Sequence, residues 1–188
     1  MTDVHQAVDI VARVAPELSR LGRALVVAIG GLETHWSDYF AQPDGTPSYN
    51  WGAVTAGASW TGPTFEHGDS HWTPAGNVKH VANFRVYESS EAGARDLATL
   101  LQHQYKKALA AADRGDWYGA SRELYDGGYY SGYKPRTGAI LDHFDAVRKQ
   151  LEAQGIPVAA MAAAAGLEMV FWGALAFFAV RKLKRRHV

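Results

Sequence analysis

The chain has 188 residues, of which 47% are hydrophobic and 20% are charged, and its formal net charge is zero. This composition excludes a mostly disordered chain, because disorder requires fewer apolar residues and a larger net charge. The absence of cysteine excludes a disulfide framework, a thiol nucleophile and a thiolate zinc site. Residues 1–157 carry 14 Lys/Arg against 18 Asp/Glu, a balance that disfavours a nucleic-acid partner.

The N-terminal part of the chain predicts two helices. Apolar residues recur at three- and four-residue steps over 4–21, in a helical stripe that Pro16 interrupts. Residues 23–36 are apolar on nearly all sides, which predicts a buried helix with Glu33 at its C-terminal end. Apolar surroundings raise the pKa of a carboxyl group, because they disfavour its charged form. Glu33 is therefore a candidate general acid; the alternative is a surface carboxylate that ends a core helix.

Residues 41–83 are rich in Gly, Pro, Thr, Ser, His and aromatic residues and show no helical period. They predict loops and short strands. On a strand, His67, Asp69 and His71 would share one face, as in a His-Asp-His metal site. Gly68 and Ser70 between them are typical of turns, and no second set of ligands is present. The sequence therefore predicts neither a metal nor a cofactor.

The helical spacing of apolar residues returns after these loops. Ser89 or Ser90 can cap a helix whose apolar face runs over 97–112. A short helix over 117–125 and a last helix that starts near residue 137 follow. The predicted fold class is α+β, mostly α.

The C-terminal segment has the pattern of a membrane span. Residues 158–180 are an apolar run with Glu168 as their single charge, and as a helix they would extend about 34 Å, against a hydrocarbon core of about 30 Å. The basic tail 181–188 follows, as at the cytoplasmic end of a span. We expect a domain over 1–154, a linker over 155–157 and one transmembrane helix in a lipid bilayer. Glu168 would either face a partner helix or be tolerated in the span in its protonated form. The alternative is a buried core helix.

Four segments carry a family resemblance: AIGGLETHWSDYF, SYNWGAV, FRVYESSEAGARDLATLL and ELYDGGYYSGY, in this order. They resemble the signature segments of the peptidoglycan-cleaving glucosaminidases of glycoside hydrolase family 73, the flagellar, autolysin and phage-lysin type. In that family the catalytic Glu ends a buried helix, in a context that Glu33, Thr34 and Trp36 match with a spacing one residue tighter. The resemblance covers about residues 20–150.

The resemblance implies a lysozyme-like, two-lobed domain. A small β lobe, roughly residues 52–83, would face a helical lobe across a groove that holds the glycan strand. The implied reaction is hydrolysis of the β-1,4 bonds of the peptidoglycan glycan, with Glu33 protonating the leaving oxygen. Glu66 is the preferred second acid from the β lobe, and Asp69 is the alternative.

The remaining site residues also follow from the resemblance. Tyr130 is preferred over Tyr129 as the active-site tyrosine, with a core or groove-wall aromatic as the alternative. Substrate contacts are expected from Tyr49, Asn50, Trp51, Asp69 and Tyr129.

Several functions stay open at this level. A muramidase or a lytic transglycosylase also uses a Glu at a helix end in a similar fold, and a non-catalytic glycan-binding or assembly protein could share the fold. The predicted span indicates a single-pass membrane protein, in a virion membrane or a bacterial inner membrane, whose catalytic domain reaches the cell wall. Residues 1–20 contain no apolar core of a signal peptide, which leaves the topology undecided.

Overall fold

The computed structural model describes residues 4–36 and 40–130, together with the single positions 149, 152 and 155. The chain divides into two compact units, Met1–Ile156 and Pro157–Val188, and the second lies outside the described residues. The elements of the first unit are, in chain order, α1 (Val4–Val14), α2 (Arg20–Thr34), β1 (Thr64–Thr73), β2 (Gly76–Arg85), α3 (Ser90–Gln104), α4 (Lys106–Asp113) and α5 (Trp117–Asp126). The predicted α+β class, with helix predominating, is confirmed for this part of the chain.

Helix α2 forms the centre of the core. Ser19 caps its N-terminus, where the Ser19 hydroxyl accepts a hydrogen bond of 2.9 Å from the Gly22 N–H. Ten of its fifteen residues are buried, because α1, α3 and α4 pack around it. His35 ends the helix in the left-handed conformation, with φ of 51°. The predicted buried helix over 23–36 is confirmed, starting three residues earlier and ending two residues earlier.

The predicted loops and short strands contain one long hairpin instead. Strands β1 and β2 pair antiparallel over ten residues each, from Thr64 opposite Arg85 to Thr73 opposite Gly76. Among the hairpin residues whose side chains the structure describes, Phe65 and Phe84 are buried and the others are partly or fully exposed. A strand that buries no face has no period-two apolar pattern, so the sequence did not predict the hairpin's length.

The second helical region follows the prediction more closely. Ser89 caps α3, and its hydroxyl accepts from the Ala92 N–H at 3.2 Å. The apolar face over 97–112 is divided between α3 and α4, because the backbone leaves the helical conformation at Tyr105. Helix α5 extends one residue beyond the predicted 117–125.

The C-terminal predictions fall largely outside the description. The predicted last helix begins among residues that the structure does not describe, although positions 149 and 152 are helical. Within the described residues, no helix has the length and apolar character needed to cross a bilayer. The predicted span over 158–180, with Glu168, and the basic tail 181–188 lie outside the described residues.

Candidate active site

A groove of about 860 Å³ runs between the hairpin and the helices. The C-terminal end of α2, the loop over 52–59, both strands, α3 and the segment over 128–130 all contribute to its lining. Such a volume lies in the range of ligand-binding clefts. Of the predicted site residues, the groove contains Glu33, Asp69, Tyr129 and Tyr130.

Glu33 lies in the groove in the last turn of α2 and is partly buried. Removal from water raises the pKa of its carboxyl group from 4.5 to about 7, and the negative charge of Asp69 adds to this rise. The adjacent Thr34 fixes the helix end, because its buried hydroxyl donates a 2.8 Å hydrogen bond to the Trp51 carbonyl oxygen. A carboxyl group held protonated near neutral pH can donate a proton to a bound substrate.

Asp69 is the acidic group that the hairpin brings to the groove. Its Oδ1 accepts a hydrogen bond of 2.7 Å from the Ser70 N–H, and its Oδ2 lies 3.5 Å from the Nε2 of His80 on the opposite strand. Its charge acts on Glu33. The groove therefore holds two carboxyl groups in different environments. Such an arrangement allows one group to act as the acid while the other carries a negative charge.

Glu66 does not reach this groove, contrary to the preference drawn from the sequence. It is exposed and is absent from the groove lining. Side chains alternate between the two faces of a strand, so Glu66 and Asp69, three positions apart on β1, lie on opposite faces. Of the two acids considered for the β lobe, the structure brings only Asp69 to Glu33.

Both tyrosines line the groove. The Tyr129 hydroxyl donates a 2.9 Å hydrogen bond to the Gly52 carbonyl oxygen. Burial and the charge of Glu33 raise the pKa of Tyr129 well above its usual value. Tyr130 is 4% exposed and its ring centre lies 5.2 Å from that of Tyr129. The electrostatic interaction with Glu33 makes Tyr129 a candidate active-site tyrosine beside Tyr130, the residue that the sequence preferred.

Asn50 supports the groove wall from behind. It is fully buried, and its Nδ2 donates to the carbonyl oxygens of Val54 and Arg85 at 2.9 and 3.0 Å. Its Oδ1 accepts from the Val54 N–H at 2.8 Å. The expected substrate contact is therefore wrong: the amide shapes the backbone of residues 52–55, which line the groove.

Trp51 and the backbone of Tyr49 pack against the helices behind the groove. Trp51 is fully buried and its Nε1–H donates to the Ser90 hydroxyl at 2.9 Å. Its ring leaves so little room that a β-carbon on Gly30 would lie 2.8 Å from it. Tyr49 is absent from the groove lining, and a β-carbon on Gly93 would lie 1.7 Å from its carbonyl oxygen. The burial of Trp51 argues against its predicted substrate contact. The predicted contact of Tyr49, whose side chain is partly exposed, stays a prediction.

Arg85 is a groove residue that the sequence analysis did not identify. Its Nη1 donates to the Asp96 Oδ2 at 2.9 Å, and its guanidinium lies 4.9 Å above the Trp60 ring. The Tyr87 hydroxyl donates to the same Asp96 oxygen at 2.7 Å. The FRVYESSEAGARD segment contains Arg85, Tyr87 and Asp96. Their spacing in this segment was the signal in the sequence that could have identified them as neighbours of the site. They fix strand β2 to helix α3 beside the groove.

The histidines of the hairpin do not form a metal-ligand set. His67 packs against Phe40 with ring centres 5.2 Å apart, whereas His71 lies 5.3 Å from His80. No group of three or more His, Cys, Asp or Glu suited to a metal ion occurs among residues 4–36 and 40–130. Asp69 makes its contact across the hairpin, with His80, rather than along β1.

No protein-family model matches the chain. Over 109 residues, 55% of its length, it is 34% identical to the peptidoglycan hydrolase FlgJ of Salmonella typhimurium, and it spans 34% of that relative. The chain is thus similar in sequence to a peptidoglycan hydrolase. The matched part is limited to about a third of the curated relative.

Solved structures extend the similarity to the fold. The peptidoglycan hydrolase of Sphingomonas sp. A1 is 28% identical, with a TM-score of 0.56 over 77% of this chain and 88% of that one. The glycoside hydrolase domain of Salmonella typhimurium FlgJ is 26% identical, with a TM-score of 0.53 over 87% and 97%. The autolysin Auto of Listeria monocytogenes, at 18% identity and a TM-score of 0.52, shares the fold. The resemblance to peptidoglycan-cleaving enzymes is confirmed in sequence and in fold.

Proposed function

We propose that the chain is a peptidoglycan hydrolase that cleaves the β-1,4 glycosidic bonds of the cell-wall glycan, with Glu33 as the general acid. The observation that carries this proposal is a glutamate with a pKa of about 7 at a helix end in an open groove. The names of the similar proteins, a peptidoglycan hydrolase and a glycoside hydrolase domain, support the same reaction class.

The two carboxyl groups fit the two tasks of glycoside hydrolysis. Protonated Glu33 gives its proton to the leaving oxygen as the bond to the sugar breaks. Positive charge develops on the sugar ring in the transition state, and the Asp69 carboxylate, on the opposite wall, is the negative group that stabilises it. Water then adds to the ring carbon and loses a proton, which completes the hydrolysis. Tyr129, coupled to Glu33 and bonded to the Gly52 backbone, completes the polar part of the groove.

The bond that we propose is the one that leaves N-acetylglucosamine at the new reducing end. The support is the FRVYESSEAG segment, which resembles the glucosaminidases. A muramidase would leave N-acetylmuramic acid at that end, and a lytic transglycosylase would leave an anhydro product, so each alternative has its own product.

Mass spectrometry of peptidoglycan fragments after digestion with the full chain tests both parts of the proposal. Reducing-end N-acetylglucosamine from the wild type, absent with Glu33→Gln, is the expected result. Reducing-end N-acetylmuramic acid or an anhydro sugar would replace the bond assignment but keep Glu33 as the acid. A folded protein that binds glycan without cleaving it would contradict the hydrolase and favour the binding protein.

We also propose that residues 158–180 anchor the domain in a membrane, either a virion membrane or a bacterial inner membrane. The support is the sequence alone: the apolar run, the basic tail 181–188, and Glu168 as a contact for a partner helix. Flotation of the full chain with lipid vesicles, before and after an alkaline carbonate wash, tests it. Release by carbonate would contradict a span, and protease protection in sealed vesicles would show the side on which the domain lies.

A further inference from the structure

The helical side of the groove contains three residues that have no part in the reaction as described so far. Leu100, Gln104 and Tyr105 all line the groove. Leu100 and Gln104 lie one turn apart on α3 and therefore share a face, and Tyr105 follows at the junction of α3 and α4. An aromatic ring and a polar amide in one groove wall suit a sugar, because a sugar ring has apolar C–H faces and polar edges.

Packing against other elements holds Tyr105 at this place. A break in a helix usually occurs at proline or glycine, and residues 101–109 contain neither. The Tyr105 ring lies instead against Gly127, where a β-carbon would come within 2.9 Å of it. On another side it meets the Tyr129 ring edge-on, with ring centres 5.3 Å apart. Two contacts thus fix the ring, while the residue stays partly exposed at the groove.

The side-chain amide of Gln104 is available to a ligand. Gln104 is exposed, and among residues 4–36 and 40–130 no group forms a hydrogen bond with its side chain. Gln102 differs, because its Nε2 donates a 2.8 Å hydrogen bond to the Glu17 Oε1 and it lies outside the groove lining. An amide both donates and accepts hydrogen bonds, so it matches the hydroxyl and N-acetyl groups of a cell-wall sugar.

We propose that Tyr105 and Gln104 form a sugar-binding subsite, which holds a further ring of the glycan strand that Glu33 cleaves. The inference rests on the proposed hydrolase function and adds two substrate-binding residues to it. Tyr129 connects the subsite to the acid, since the charge of Glu33 acts on Tyr129 and the Tyr129 ring contacts Tyr105. The groove volume of about 860 Å³ lies near the top of the range of about 300–1,000 Å³ for ligand sites, which leaves room for more than one sugar ring.

Steady-state kinetics of Tyr105→Leu in the full chain, on glycan fragments of increasing length, test the subsite. Leucine removes the stacking ring, and we expect KM on long fragments to rise about three- to tenfold, with a smaller change in kcat. Tyr105→Phe keeps the ring and should restore most of the affinity. Tyr118→Leu is the matched control, since Tyr118 is exposed on α5 and lies outside the groove lining.

The dependence on fragment length separates a substrate contact from a structural role. A subsite acts only on fragments long enough to reach it, so the loss in Tyr105→Leu should grow with fragment length. An equal loss at every length would mean that Tyr105 acts through its contact with Tyr129, and this result would overturn the inference.

Gln104→Ala is a second variant that does not depend on the folding of Tyr105→Leu, because Gln104 is exposed. Loss of the amide should raise KM on long fragments about threefold, whereas Gln102→Ala should leave KM unchanged. A wild-type KM on long fragments in Gln104→Ala would overturn the subsite.

A binding readout does not require cleavage. Addition of glycan fragments to Glu33→Gln should shift the side-chain amide NMR signal of Gln104 and leave that of Gln102 in place. No shift at Gln104 would overturn the inference. A wild type that cleaves no glycan would contradict the proposed function, while the shift at Gln104 would still decide whether the subsite binds sugar.

Discussion

Glu33 and Glu66 are the same residue type on the two sides of one molecule, and their surroundings differ in nearly every respect. Glu33 ends a helix with ten buried residues and faces the groove, where burial holds the pKa of its carboxyl group at about 7. Glu66 lies exposed on a hairpin whose buried residues, among those with a described side chain, are Phe65 and Phe84. The comparison shows that the apolar surroundings at the end of α2, rather than the residue type, make Glu33 the acid of this site, because they raise its pKa. The hairpin contributes a charged partner, Asp69, that stays close to solvent.

The largest expected effect is the loss of cleavage in Glu33→Gln. Glutamine has nearly the same shape but no acidic proton, so we expect turnover on peptidoglycan to fall at least about 1,000-fold. The matched control is Glu66→Gln, the same substitution on the exposed wall, whose turnover should stay within about twofold of the wild type. A comparable loss in both variants would remove the distinction between the two walls.

Replacement of Asp69 by Asn tests what the carboxylate of the hairpin contributes to the reaction. We expect kcat to fall about 10- to 100-fold, because the transition state loses its negative partner. The alkaline limb of the pH profile should also move to lower pH, since removal of the Asp69 charge lowers the pKa of Glu33. Burial is the larger cause, so the limb should remain well above pH 4.5. Asp9→Asn, exposed on α1, controls for a general change of charge; an Asp69→Asn enzyme as active as this control would exclude Asp69 from the reaction.

The paired tyrosines allow the same kind of test. Tyr129→Phe removes a hydroxyl that donates to the Gly52 carbonyl oxygen beside Glu33, and we expect kcat to fall about tenfold. Tyr130→Phe is the matched comparison, and we expect a smaller loss there, because loss of the Tyr129 hydroxyl also releases the Gly52 backbone of the groove wall. Steady-state kinetics on one glycan preparation would decide between them. The reverse order would restore the preference for Tyr130 that the sequence suggested.

Trp51 tests whether a motif residue binds substrate or supports the wall. Trp51→Phe loses the hydrogen bond to Ser90 and part of a fully buried ring, so we expect the free energy of unfolding to fall by about 1 to 3 kcal/mol. KM should stay unchanged in the folded enzyme. Trp60→Phe, in a partly exposed ring, serves as the comparison and should lose less stability. A raised KM at full stability would show that Trp51 does contact the glycan.

The sequence predicted the elements whose signals are local. The apolar helix that carries Glu33 follows from its nearly continuous apolar character, and the structure confirms it. Of the two serines predicted as a cap from their hydroxyl groups, the structure shows Ser89 in that role. The length of the hairpin was not predicted because most of its side chains are exposed to solvent, and exposed strands show no alternating apolar pattern. The choice of Glu66 over Asp69 failed for a related reason, since the face of a residue on a strand depends on a register that composition does not specify.

The family resemblance had a different limit. Matching segments predicted that SYNWGAV and GGYYSGY belong to the site, and residues 52–54 of the first and 128–130 of the second line the groove. A matching segment does not distinguish a side chain that touches the substrate from one that positions the backbone behind it. Asn50 and Trp51 are of the second kind, with every polar atom of their side chains bonded within the fold. Only their burial reveals this.

The most direct test of the central claim is the titration of the Glu33 carboxyl group itself, followed by ¹³C NMR in the wild-type chain with Glu33→Gln to assign the signal. The structure predicts a midpoint near pH 7, because the apolar end of α2 and the charge of Asp69 both oppose ionisation. A midpoint near 4.5, the ordinary value for glutamate, would contradict the claim that this helix end holds an acid ready to donate its proton at neutral pH.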